Sequence, residues 1–496
     1  MLDSVVRTVV FYGLDPWLMA TTALLNIVLF ILYRCYFHPL SKYPGPFLAK
    51  MSENYMIYFA MCERNTYARH ELHQKFGPIV RVGPNELSFS DEASIKDIYG
   101  QSTNPCLKAP QFYRGFTMTG TDSVFSTRDR VLHARMRRLL ANGFSQNGVL
   151  QFEEEIALIV QRYLDVIQKS TSESQPVEFH DLTHSLFVDI TSTLAFAQNF
   201  DTLSGKHSQG ATDIDTWFQV CPLFGLFPLS IYFPFGLFRT AQNARPRILE
   251  ATQSWINQFR DRIQSGTAEN GLLRSMIQAR DIETNTVFSD AELQENAVIF
   301  VLAGTGTSAT TLLYFIYEMG IRPEMQRHLE REIREAFPDR NVMPDYNTAM
   351  KLPYLNCVLQ EVLRLRGPTN SVPLRISPGK SIGGIFVPSG MMVSNLPYTT
   401  HRDPAIFPGP EKFEPSRWEN PTTEMKNMHR PFSVGPRNCL GVHLARVQLL
   451  ITVCALYQRF DMSIDSSMTA YLMELRDVGL MSPMGRTLKV QVKSSC

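Results

Sequence analysis

Eight cysteines are scattered along the chain, at 35, 62, 106, 221, 357, 439, 454 and 496, and one of them stands in a reactive setting. No CxxC pair occurs, so neither a zinc ribbon nor a disulfide framework is indicated. Cys439 lies in Phe432-Ser-Val-Gly-Pro-Arg-Asn-Cys-Leu-Gly441, a glycine-bounded loop directly before an apolar helical pattern. Loop amides and the start of that helix can stabilise a thiolate, and Arg437 adds a positive charge two residues away. Gly435 and Gly441 let the backbone approach a flat ligand closely. The other cysteines read as inert, reduced thiols. Rival chemistries lack support. Gly379-Lys380-Ser381 resembles the end of a phosphate loop, but Leu374 stands where the first glycine belongs. There is no GxSxG and no HExxH, and His70-Glu-Leu-His73 is one residue too short to put two imidazoles on one helical face.

A second constellation lies upstream. Glu361-Val-Leu-Arg364 sets opposite charges at i and i+3, neighbours on a helix, and Arg417 follows in Phe413-Glu-Pro-Ser-Arg-Trp418. Taken with the cysteine loop, the pattern resembles the cytochrome P450 superfamily. Its FxxGxRxCxG haem-binding signature is matched at Phe432, Gly435, Arg437, Cys439 and Gly441, and its ExxR at Glu361 and Arg364. The resemblance implies haem b with Cys439 as proximal iron ligand, the thiolate favouring O–O cleavage. It implies that Glu361, Arg364 and Arg417 form a structural cluster holding the cysteine loop, with Ser416 replacing the usual glutamate. His133-Ala-Arg-Met-Arg137 resembles the family's W-x-x-x-R, with histidine for tryptophan. His133, Arg137, Arg375, His401 and Arg437 are the implied partners of the haem propionates, since buried carboxylates need cationic donors. The likeness covers roughly residues 38 to 490. FHPLSKYPGP and IVRVGPNELSF are similar to microsomal members from filamentous fungi, commonly of secondary metabolism.

Ala303-Gly-Thr-Gly-Thr-Ser308 matches the family's A-G-x-(D/E)-T-(T/S) except at Gly306, where an acid is expected. Ala303 and Gly304 would lie against the haem, and Gly306, Thr307 and Ser308 occupy the catalytic positions. Glycine has no group to relay a proton. Three readings stay open. Protons arrive through Thr307, Ser308 and water in an ordinary hydroxylation; the substrate completes the relay, or the reaction is a desaturation or oxidative coupling; or the enzyme is an isomerase or lyase without oxygen activation. A haem-binding sensor or carrier is the non-enzymatic alternative.

These residues need particular elements beneath them. The pattern predicts a mainly α fold with small β-sheets, the cytochrome P450 fold, preceded by an N-terminal transmembrane helix. Ser289-Asp-Ala-Glu292 is a capping-box pattern for a long buried helix running to about Gly320, in which Gly304 and Gly306 would permit a local bulge. Further helices are expected over Tyr354–Leu365 and Val442–Arg459, strands over Ile79–Val82 and Glu86–Phe89, and a terminal strand over Thr487–Val492.

The 496 residues suggest about three domains by length alone. One haem plane drawing on residues from His133 to Cys439 argues instead for a single body. The expected division is an N-terminal segment 1–37 with its anchor at about 16–33, a proline-rich hinge 38–46, and a catalytic domain 47–496. Pro16 to Tyr33 is uncharged and just long enough to span a bilayer. Arg34 follows it at once, and a bulky, basic stretch is no signal-peptide cleavage site. The chain also lacks an Asn-x-Ser/Thr sequon. A single-pass protein of the endoplasmic reticulum membrane with a cytosolic body is the expectation. Lysine plus arginine (48) against aspartate plus glutamate (47) excludes a nucleic-acid binder held by bulk charge. Aromatics crowd Trp217 to Phe238, namely Trp217, Phe218, Phe224, Phe227, Tyr232, Phe233, Phe235 and Phe238, and suit a lipophilic substrate; the resemblance implies a mobile lid here that touches the membrane and admits it. Phe116, Ala303, Val372, Pro373 and Leu480 are the expected pocket. Arg128, Arg130, Arg135 and Arg138 form a basic cluster fit for an acidic flavin reductase. No flavin domain is fused, so NADPH would act only through NADPH-cytochrome P450 reductase, with cytochrome b5 a further candidate donor. A monomer is expected.

Overall fold

A computed structural model describes residues 16–171, 175–205, 209–226, 228–267, 271–369 and 373–494. Helices dominate. The first, α1 (Pro16–Leu32), stands with its apolar side chains exposed, and continues as a π-helical turn over Tyr33–Phe37. The body that follows carries α2 (Arg130–Ala141), α3 (Phe179–Phe196), α4 (Gln209–Leu226), α5 (Gly236–Gln264), α6 (Asp290–Gly320), α7 (Pro353–Arg366) and α8 (Val442–Arg459). Five short strands form the main sheet: β1 (Ile79–Gly83), β2 (Glu86–Phe89), β3 (Leu107–Lys108), β4 (Arg375–Ile376) and β5 (Met392–Asn395). Their order is β1-β2-β5-β4-β3, with only the β2–β5 pair parallel. The terminal strand, Lys489–Ser494, pairs with Phe460–Ile464.

The long helix is set by its start. Ser289 Oγ accepts the Glu292 N–H at 3.3 Å and Glu292 Oε2 accepts the Ser289 N–H at 2.8 Å, a closed capping box. The helix then runs unbroken to Gly320, so the bulge that two glycines would permit does not form. The reason is packing. A Cβ at Gly304 would stand 2.6 Å from Thr191 Cγ2 of α3, so this glycine lets two helices meet and keeps the main chain straight. Thr305 Oγ1 lies 2.9 Å from Thr191 Oγ1 across the same contact.

The proline segment is a packed joint and no free hinge. Leu40 is fully buried, His38 and Tyr43 nearly so. Arg81 of β1 donates to the Arg34 carbonyl at 2.9 Å, and its N–H to Pro44 O at 2.7 Å. Arg34 Nη1 and His38 Nε2 both meet Asn85 Oδ1, at 3.3 and 3.0 Å, in the turn between β1 and β2.

Candidate active site

The cysteine loop is closed by Cys439 itself, whose N–H donates to Phe432 O at 2.8 Å. Gly435 has φ +74°, and a Cβ there would lie 2.0 Å from the Tyr99 carbonyl oxygen, so no other residue fits. Gly441 leaves open the space before the sulfur: its Cβ would meet only Cys439 Sγ, at 4.0 Å. From α2, Arg137 reaches across to donate to Asn438 O at 2.9 Å and Oδ1 at 2.5 Å. Burial pushes the Cys439 thiol up, while the Gly441 N–H and Arg137 pull it down. The positive neighbour of the sulfur is therefore Arg137. Arg437 turns away, donating to Thr127 O at 2.7 Å and Asp129 O at 3.2 Å. The Gly441 N–H and Arg137 thus favour the thiolate, and a bound metal would deprotonate the thiol outright. Cys439 keeps an exposed surface among these groups.

Beside this loop lies a set of buried cations. Register pairs Lys108 of β3 with Arg375 of β4 and so brings both to one place. Arg375 bonds Tyr113 Oη at 2.9 Å and Leu374 O at 3.0 Å, and lies over the rings of Tyr99 and Tyr113. Lys108 bonds the Phe125 carbonyl and lies over the Tyr113 and Phe125 rings. Burial pushes Lys108 well down, helped by Arg375 and Arg437; burial also takes Arg437 to about 10, with Arg375 beside it. His133 is pushed down to about 3 by burial, then by Arg437, Lys108, Arg137 and Arg375. Among the described residues none of Lys108, Arg137, Arg375 and Arg437 has an ion-pair partner. Buried Lys108 and Arg375 with half-buried Arg137 and Arg437, bonded to carbonyl oxygens and a hydroxyl, lying on ring faces and in no ion pair among the described residues, make a donor set suited to a dianion. Two propionates fit that description. Lys108 escaped the sequence reading because two-residue strands leave no periodicity to see.

His401 does not belong to this set. It is fully buried; its Nε2 accepts the Arg430 N–H at 3.1 Å and its Nδ1 faces Arg364 O at 3.3 Å. Burial, then His429, Arg430, Arg402 and Arg364, push its pKa well below the usual imidazole range. With both nitrogens engaged, it braces the loop and has nothing left for a propionate.

The cluster expected around Glu361 is present in full. Arg364 Nε and Nη2 donate to the two Glu361 oxygens at 2.9 and 2.8 Å, and both side chains are fully buried. Arg417 Nε, Trp418 Nε1 and the Glu414 N–H complete the carboxylate's partners at 3.0, 2.9 and 2.9 Å. Arg364 also donates to the carbonyls of His401, Pro410 and Lys412, stapling the 401–418 coil to α7. Glu414 Oε2 receives Arg417 Nη2 at 3.2 Å, so an acid still serves that arginine although Ser416 is not one.

On α6, Ala303 is exposed between buried Leu302 and Thr305, and Gly304, Gly306 and Thr307 are partly open. Thr307 Oγ1 donates to Ala303 O at 2.5 Å. Ser308 is not with them. It is buried and takes a hydrogen bond from Gln448 of α8, because one further residue turns the helix about 100°. Gly304 likewise serves the α3 contact. A Cβ at Gly306 would stand 3.4 Å from Leu480 Cδ1, which brings that predicted pocket residue to the same face. Phe116 is buried with its ring 5.0 Å from Phe125 and 5.2 Å from Phe112. Pro373 is half-buried, its carbonyl taking the Tyr99 hydroxyl at 3.1 Å. Val372 lies outside the described residues.

Two outer features change. Of the basic cluster, Arg135 pairs with Glu292 at 2.7 Å and Arg138 with Asp281 at 2.7 Å, so half of it is spent inside the fold. Of the aromatic stretch, Trp217 and Phe224 are core, whereas Leu229, Tyr232, Phe233, Phe235 and Leu237 are exposed together. Phe227 and the side chain of Phe218 lie outside what is described.

Comparison with known proteins agrees in one direction. The family model for Cytochrome P450 matches residues 54–489. A cytochrome P450 monooxygenase (ORF9) of Penicillium roqueforti is 28% identical, covering 90% of this chain and 88% of its own. The cytochrome P450 monooxygenase aba2 of Botryotinia fuckeliana is 30% identical over 88% and 85%. The tryprostatin B 6-hydroxylase of Neosartorya fischeri is 28% identical over 90% and 81%.

Proposed function

The chain belongs to the cytochrome P450 family and is a monooxygenase of fungal type, and on that premise we propose that it is a membrane-anchored enzyme oxidising a lipophilic secondary metabolite. The observation that carries this reading is the buried cation set beside an exposed cysteine. Haem, when bound, supplies oxygen activation with electrons delivered from NADPH by a separate reductase. Cys439 is the residue to hold its iron, and Lys108, Arg375, Arg437 and His133 are placed to hold its propionates. Arg137 and the Glu361 cluster keep the cysteine loop in position. Apolar side chains at Phe116, Ala303, Pro373 and Leu480 exclude water and favour an apolar substrate. Thr307 Oγ is the hydroxyl available to hold or pass a proton, since Ser308 faces Gln448.

That withdrawal favours a second reading of the chemistry. With no side chain at 306 and Ser308 engaged elsewhere, a hydroxyl or acid of the substrate completes the relay beside Thr307. The apolar helix Trp17–Phe37, none of it buried, supports a single-pass anchor, and the proposal places that anchor in the endoplasmic reticulum membrane with the body on the cytosolic side.

The test is the carbon monoxide difference spectrum of the reduced full-length protein. The wild type gives the thiolate-type absorption, and Cys439→Ser loses it while the fold is retained by circular dichroism. A wild type that binds haem without that absorption refutes the assignment. Metabolite profiling after gene deletion then identifies the precursor, and a precursor carrying no group able to relay a proton refutes the second reading.

A further inference from the structure

A buried carboxylate holds the segment that carries Phe116, one of the residues proposed to line the pocket. Glu295 is on α6, about three turns before Gly306 and therefore on nearly the same face of the helix. It is almost fully buried, and its Oε1 accepts the main-chain N–H of Met118, at 2.5 Å, and that of Thr119. The carbonyl of the same Met118 is taken from the other side by Arg245 of α5, whose Nε donates at 2.8 Å and whose Nη2 also reaches it. One peptide segment is thus gripped at its donor by α6 and at its acceptor by α5. Next door, Asn296 Oδ1 accepts the Val124 N–H at 2.9 Å.

The segment's other end is seated backbone to backbone. A Cβ at Gly115 would lie 1.6 Å from the Cys221 carbonyl oxygen of α4, and one at Gly225 would lie 2.6 Å from Gln111 O. Between the glycine seat and the carboxylate grip lies Phe116, buried against Phe125. The glycine seat is made by shape. The Glu295 grip is charge-assisted and reversible, and hydrogen bonds of that kind are the stronger class.

We propose that Glu295 is a positioning residue that keeps the 114–119 segment closed over the substrate pocket, so that ligands larger than a diatomic gas enter only when its bonds to Met118 and Thr119 open. This rests on the haem-thiolate reading above. The side chain touches no reacting atom. It acts through the main chain of the segment that carries Phe116, and so governs how fast the pocket admits a ligand and how Phe116 is presented to it.

The experiment compares wild type, Glu295→Gln and Arg245→Ala as full-length holoproteins. Glutamine keeps the size and one carbonyl acceptor but loses the charge. Stopped-flow association of 4-phenylimidazole with the ferric protein is expected to rise about tenfold in Glu295→Gln, as loss of a charge-assisted hydrogen bond implies. Association of carbon monoxide with the ferrous protein stays unchanged, because a diatomic does not wait for the segment to open. Tryptic cleavage after the exposed Arg114, followed without any haem chemistry, rises by a similar factor as the segment opens. Equal phenylimidazole rates in wild type and variant, or rates for both ligands rising together, overturn the proposal. Absence of the thiolate absorption in wild type overturns the underlying reading instead, and the cleavage rates then still judge the grip.

Discussion

Lys108 is the residue whose role the fold reveals and the sequence conceals. In the polypeptide alone it is a liability, an amine buried beside Arg375 and Arg437 with a carbonyl and two ring faces as partners and no ion pair among the described residues. Lys108→Met removes that repulsion, so the haem-free protein should melt higher than wild type. The holoprotein should release haem to an apomyoglobin acceptor about tenfold faster, the value of one charge-assisted bond. A variant that melts higher and keeps its haem as tightly as wild type would remove Lys108 from the propionate set. Cys439, Glu361 and Arg364 were legible because their spacing along one loop and one helix already states their geometry. His401 and Ser308 were misread for the opposite reason. Sequence order places them near the site, but the direction of a side chain depends on what packs against the turn it leaves.

At the scale of elements, the α3–α6 contact decides the course of the helix over the pocket. Gly304→Ala drives a methyl into Thr191 and should destabilise by about 2 kcal/mol, as overpacking does. Adding Thr191→Ser, which removes the clashing Cγ2 and retains the hydroxyl, should restore most of it. Thermal midpoints of the single and double variants check this, and a double variant no better than the single one would show that the glycine answers to something else. The helices themselves were readable, since the capping box at Ser289 and the apolar faces of α7 and α8 are local signals. The main sheet was only half readable. The β1–β2 hairpin has its turn written as Gly83-Pro84-Asn85, whereas β3 and β4 are two residues each and exist only through pairing with strands distant in sequence, β3 with β4 and β4 also with β5.

For the whole molecule, the apolar N-terminal helix meets the rest of the chain through a packed joint. Chains starting at residue 34 keep the Arg34 carbonyl, Leu40 and Tyr43; chains starting at 47 lose them and leave Arg81 without two acceptors. The shorter chain should melt roughly 5 °C lower, from the loss of three buried side chains and four hydrogen bonds to the body. Equal melting would show that the joint is idle. The same joint has a consequence for encounters. If α1 lies in a bilayer as proposed, the bonds of the joint restrain how the body turns on its tether, and so restrict the bearing of the exposed Leu229–Leu237 patch and the cysteine face to the membrane plane. A partner held in the same membrane meets a restricted range of presentations of this protein. Part of the orientational search that slows association in solution is settled before the two collide.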